Sequence, residues 1–117
     1  MSFAARTAYD VTILDLSGKI TIGDTCAELR RAIRDLLKSG QKNILLNMGE
    51  VSYMDSSGIG ELVSAYSTVS TQGGQLKLLN LTKRLEEVLA ITKLLTVFEC
   101  YADEGRAVQS FRASASP

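Results

Sequence analysis

The chain has 117 residues, 45% of them apolar, and its thirteen Lys and Arg balance thirteen Asp and Glu. That length holds one domain with a single core, and the apolar share excludes disorder. Zero net charge lacks the basic footprint of phosphate-backbone binding, so no direct nucleic-acid contact is expected.

The absences continue in the side chains. There is no histidine, which removes Ser-His and Cys-His nucleophile pairs and most transition-metal sites. Two isolated cysteines, Cys26 and Cys100, make no zinc knuckle, and neither G-x-x-x-x-G-K nor G-x-G-x-x-G occurs. No cofactor, no metal and no enzymatic activity are expected. Residues 1–6 lack a basic stretch followed by an apolar one, and no apolar run approaches the roughly 20 residues that span a bilayer. A cytoplasmic protein without membrane insertion is expected, with each cysteine a small buried hydrophobe.

In chain order, Val11, Ile13, Leu14 and Leu16 form a β-type run stopped by Ser17 and Gly18, and residues 19–22 read as a second short strand paired with it. Asp24 or Thr25 then opens a helix. Thr25 and Glu28 fit a capping box, each side chain serving an orphan N–H. Cys26, Leu29, Ile33, Leu36 and Leu37 share one face, and Arg30, Arg31 and Arg34 with Glu28 and Asp35 read as a solvated one. Ser39-Gly40 ends the helix.

Ile44, Leu45 and Leu46 form an unbroken apolar run within 43–48, the pattern of a strand covered on both faces. A second helix begins at Ser56 or Ser57, carries Ile59, Leu62, Val63, Tyr66 and Val69 inward, and stops at Gly73-Gly74. Residues 75–80 form another buried strand. Thr82 caps a third helix whose apolar positions are Leu85, Val88, Leu89 and Ile91. Residues 97–101 read as a last strand, and Asp103 starts a short helix with Ala107, Val108 and Phe111. The domain spans 1–112, followed by a frayed tail over 113–117. The pattern predicts an α/β fold, a mostly parallel sheet of about five strands with about four helices. Sites in such sheets lie at the carboxyl ends of strands, here 48–60 and the turn at Asn80-Leu81-Thr82.

The first of these carries the chemistry. Asp55-Ser56-Ser57-Gly58-Ile59-Gly60 sets two hydroxyls between an acid and two glycines at a helix start. A serine there serves as an N-cap, and an Asp before it favours the positive end of the dipole. Two glycines within the first helical turns cost about 1 kcal/mol each relative to Ala, more than stability alone explains, and they leave the backbone bare for another surface. Two hydroxyls also exceed what one cap needs. Ser56 lies outside any G-x-S-x-G elbow and has no His as base. As a phosphoacceptor it is better placed. Phosphate adds about −1.5 to −2 charges, which a helix N-terminus tolerates and an acidic or apolar partner surface, with Asp55 beside it, does not. Of Tyr53 and Met54, one reads as core and one as an exposed anchor.

At these residues the chain resembles the STAS family, specifically the bacterial anti-sigma factor antagonists. The likeness includes the opening strand to Gly18, the helix after Gly23, Ile44-Leu45-Leu46-Asn47, Val51 through Gly60, Gly73-Gly74 with the following strand, and Val97-Phe98. The resemblance implies a small mixed sheet flanked by helices, and an activity of partner switching. The unphosphorylated form binds an anti-sigma factor that is also a serine kinase, freeing a sigma factor. The kinase phosphorylates the serine after the Asp, here Ser56, and a serine phosphatase reverses it. By position, Asp55, Ser57, Gly58, Ile59 and Gly60 belong to the docking surface, with Ile22, Gly23 and Asp24 beside them. Two departures stand out: many antagonists carry an acidic residue at about the position of Thr21, where the connection here is one residue longer, and Lys93 stands where family members often have a glycine, which implies a different stop for the third helix. Two other readings stay open. One is a STAS subunit of a lipid or anion transport assembly that binds a transporter ATPase, with Ser56 a cap only. The other is a small enzyme or phosphotransfer protein.

Overall fold

The computed structural model describes residues 2–115. Among them, β1 (Ser2–Ala8), β2 (Val11–Ile20), β3 (Asn43–Met54), β4 (Gln75–Leu79) and β5 (Cys100–Tyr101) form one sheet in that spatial order. β1 is antiparallel to β2, and the other neighbours are parallel. Four helices connect or flank them: α1 (Asp24–Lys38), α2 (Ser56–Thr71), α3 (Lys83–Ile91) and α4 (Glu104–Ala115). The mixed, mostly parallel α/β architecture agrees with the sequence-based expectation.

Strand alternation divides the core in two. Leu14, Leu16, Ile44, Leu46, Met48, Leu76 and Leu78 face α1, α2 and α3. Val11, Ile13, Leu45 and Leu79 face Ala107, Val108 and Phe111 of α4. Both faces of β3 are therefore covered, which is why its apolar run is unbroken.

Several local expectations are corrected. The partner of the 11–16 run is β1, while 19–20 continue β2 after register shifts at Asp15/Ser17 and Gly18/Lys19 and pair with Tyr53 and Met54. β3 reaches Met54, beyond the expected end at 48. The capping box does not form: Gly23 precedes α1, and the Thr25 hydroxyl instead accepts from the Thr21 amide (2.8 Å) and donates to the Thr21 carbonyl (2.7 Å). The last strand shrinks to two residues. Cys26 is buried, but Cys100 is exposed. Ile91 points into solvent, 81% exposed. The frayed tail expected over 113–117 lies partly outside the described residues; the backbone through Ala115 continues α4.

Helix three ends by the common left-handed stop, with a lysine in it. Lys93 takes φ 63°, its amide reaches Ala90 O (3.1 Å), and Leu94 N reaches Leu89 O (2.7 Å), the pair of bonds that usually accompanies glycine. The sequence-based expectation of a different stop is thus replaced by the same stop on a less suited residue.

Two polar features hold the α4 side. Arg6 on β1 bonds both Asp15 (2.6 Å) and Glu104 (2.5 Å), and Asp15 also accepts from Asn47 (2.8 Å). The Arg6 guanidinium holds both carboxyls below their usual range. Lys77 is fully buried, its Nζ 3.0 Å from Ser110 Oγ, 3.3 Å from Glu99 and 4.8 Å from the Phe111 ring centre.

Candidate functional site

The parallel register sets Ile20 at the end of β2 opposite Met54 at the end of β3. The two exits therefore lie side by side, the Thr21–Asp24 turn next to the start of α2. Asp55 locks them together. Its Oδ2 accepts from Ile22 N (3.0 Å) and its Oδ1 from Gly58 N (2.8 Å), while its own amide donates to Ile20 O (3.3 Å). These amide donors, that of Ile22 foremost, hold the Asp55 carboxyl below the usual carboxylate range.

Asp55, and not Ser56, is thus the N-cap of α2. Ser56 is the first helical residue and exposed, and among the described residues its hydroxyl makes no hydrogen bond. Ser57 is half-buried. Ile59 is half-buried, with its side chain packed on the core. Gly60 is exposed, and a Cβ there would meet nothing within 4 Å. Ile22 is 77% exposed, and Gly23 and Asp24 are exposed with it. Gly23 takes φ 101°, a conformation costly for any side chain. Tyr53 is 43% exposed and Met54 belongs to the core, the division the sequence anticipated.

Gly58 has another part. It is buried, and a Cβ on it would lie 2.3 Å from Ile20 O. Its bareness serves close approach within the chain, so of the two glycines only Gly60 offers open backbone. The turn at Asn80-Leu81-Thr82 stands apart: Thr82 caps α3 through Leu85 N (3.2 Å).

Behind the site, Glu61 of α2 is 7% exposed and holds Arg30 of α1 at 2.6 Å. This pair fixes the two helices relative to each other, and Arg30, still 53% exposed on the solvated face expected of the arginines, is the one of them that a buried acid engages. An acid between the inward residues Ile59 and Leu62 was the available signal, and it went unread. Cys26 sits nearby, buried at the start of α1. Burial, with Glu61 and Asp55 adding, pushes its thiol up and keeps it protonated.

Among the described residues no cluster of metal-ligating side chains occurs, and no helix is long and apolar enough to cross a membrane. The chemistry on offer is an exposed hydroxyl on a rigid helix start, framed by apolar Ile22 and a bare Gly60.

Comparison with known proteins bears on the family and the fold. The chain is 33% identical over 96 residues to the anti-sigma-B factor antagonist of Bacillus subtilis (strain 168), covering 82% of this chain and 86% of that one. The crystal structure of TM1081 from Thermotoga maritima superimposes with a TM-score of 0.86 at 25% identity, over 94% of each chain. The phosphorylated form of the Bacillus cell fate determinant SpoIIAA shares the fold, with a TM-score of 0.73 at 22% identity over 93% of this chain and 98% of that one. The model of the STAS domain matches residues 2–107, and the chain belongs to the STAS domain family.

Proposed function

We propose that this protein is an anti-sigma factor antagonist that works by partner switching, with Ser56 as its phosphoacceptor. Unphosphorylated, it binds an anti-sigma factor that is also a serine kinase, and a sigma factor is released. Phosphorylation ends that complex, and a serine phosphatase restores it. In the forward step the γ-phosphoryl group of ATP moves to Ser56 Oγ, the hydroxyl proton is lost and ADP leaves. Hydrolysis returns the serine and inorganic phosphate. The chain itself is a binding protein and not an enzyme.

One observation carries this reading: Asp55 performs the capping, so the exposed Ser56 hydroxyl has no structural task. The naming of the Bacillus subtilis relative supports it. Docking is assigned to Ile22, Gly23 and Asp24 with Asp55, Ser57, Ile59 and Gly60, and Gly58 sets their spacing from behind. A phosphate at Ser56 meets the positive end of α2, so the fold tolerates it. A partner lying over Ile22 and Gly60 has to desolvate or repel that charge, and the complex does not tolerate it.

The test is capture from native lysate on Ser56→Ala and Ser56→Asp baits, with partners identified by mass spectrometry. Retention of a serine kinase by the Ala bait and its loss from the Asp bait is the expected result. If both baits retain the same proteins, the switch is refuted; a transporter ATPase among them would favour the transport-subunit reading.

A further inference from the structure

Helix α1 sorts its charges between two grooves. Glu28, Arg31 and Asp35 line one, toward β1. Arg30 and Arg34, one helical turn apart, line the other, a cleft of about 310 Å³ against α2. Its floor is Ile33 and Ala65, both buried. Its α2 wall is Glu61, Ser64 and Thr68, a row at helical spacing along one side of that helix. A chain with no net charge thus sets two guanidiniums against a single carboxylate here.

That carboxylate is already engaged. Glu61 accepts from Arg30 Nη2 at 2.6 Å and from Nε at 3.2 Å, which leaves Nη1 of Arg30 without a partner among the described residues. The Arg34 guanidinium has neither an ion pair nor a hydrogen bond among them. The hydroxyls of Ser64 and Thr68 make no hydrogen bond there either. The cleft therefore keeps one positive charge in excess, and unengaged N–H and O–H donors line it from both helices, with no unpaired carboxylate among them.

From the unpaired Arg34, the half-engaged Arg30 and the two hydroxyls gathered in one cleft, we infer that the α1–α2 groove is a binding site for a phosphate group, carried by free phosphate or by a small phosphate monoester. The planar fork of arginine matches two oxygens of a phosphate at once. Arg34 supplies that fork, Arg30 adds Nη1, and the Ser64 and Thr68 hydroxyls donate from α2. Glu61 does not oppose the anion, because its charge is neutralised by Arg30. The volume is at the lower end of small-molecule sites and exceeds one oxyanion, which leaves room over Ile33 and Ala65 for the organic part of an ester. The inference uses none of the residues assigned to partner docking, so its outcome is independent of Ser56.

Amide NMR titrations of the whole chain with inorganic phosphate and with glycerol 3-phosphate read the outcome, at an ionic strength held constant with sodium chloride so that screening does not imitate binding. Saturable shifts are expected over residues 30–38 and 61–68. Tighter binding of glycerol 3-phosphate would identify the ligand as a monoester, and equal binding would identify it as free phosphate. Arg34→Gln should raise the dissociation constant at least about tenfold, the scale of 1.4 kcal/mol. The double variant Ser64→Ala, Thr68→Ala should raise it as well. Arg31→Gln removes the same charge from the opposite groove of α1 and should leave the affinity unchanged. No saturable shift, shifts centred on the start of α2 at residues 56–58, or equal losses from Arg34→Gln and Arg31→Gln would overturn the inference.

Discussion

The Asp55 carboxylate accepts the Ile22 amide at 3.0 Å across 33 residues of sequence, and with its other oxygen it caps α2 at Gly58 (2.8 Å). One side chain thereby fixes the exposed Ile22 turn against the helix that presents Ser56. The proposed docking surface is held together by this carboxylate and not by either segment alone. Asp55→Ala should raise hydrogen-exchange rates at Ile22 and Gly58 while leaving those in β3 and β4 unchanged. Because the folded-state pKa of Asp55 is depressed, its contribution to stability is present above the ordinary carboxylate pKa and is lost as pH falls through the lowered one. The difference in stability between the wild type and Asp55→Ala should therefore shrink in acid.

The two glycines should respond in opposite directions. Gly58→Ala places a Cβ 2.3 Å from Ile20 O, and thermal denaturation should report a loss of about 1–3 kcal/mol from overpacking. Gly60→Ala enters open space and should gain about 0.5–1 kcal/mol of helix propensity. If Gly60 serves docking, that same stabilised variant should bind the captured partner more weakly.

Acid should loosen the join between the β1–β2 hairpin and α4. Asp15 and Glu104 both have depressed folded pKa values, with the Arg6 hydrogen bond as the largest cause. Their contribution is present above about pH 4 and lost as pH falls through the depressed values. Urea denaturation as a function of pH should show a shallower acid slope for Arg6→Gln than for the wild type.

Lys93 occupies a left-handed position at φ 63° with glycine's hydrogen bonds around it. Lys93→Gly should stabilise the fold by about 0.5–1 kcal/mol, the left-handed penalty less glycine's entropic cost. Lys93→Val should do the reverse, and melting curves of the pair give the comparison.

The parts readable from sequence were those where local pattern and burial coincide. The Leu45 run declared a doubly covered strand, Thr82 declared a cap, and Asp55 through Gly60 declared a helix start with excess chemistry. What escaped depended on long-range geometry. β1 carries no alternation because, of residues 3–8, only Ala8 is even half-buried, and its strand character comes from pairing with β2. Thr25 and Glu28 had the spacing of a capping box, but the nearby Thr21 backbone took the hydroxyl. The burial of Lys77 depends on α4, which covers it with Ser110 and Phe111. Gly58 looked like a surface feature because sequence shows a missing side chain and not what fills the space.

The central claim is that charge at residue 56, and not the capping of α2, governs docking. Since Asp55 is the cap, Ser56→Ala should change stability by no more than about 0.5 kcal/mol, so its binding can be read without a folding correction. The decisive measurement is the affinity of the captured kinase partner for the unmodified protein, for Ser56→Ala and for the Ser56-phosphorylated protein, at one ionic strength. Equal affinity for the first two, with phosphorylation weakening it at least about a hundredfold (2.7 kcal/mol), is the predicted result. Equal affinity for all three forms would contradict the account.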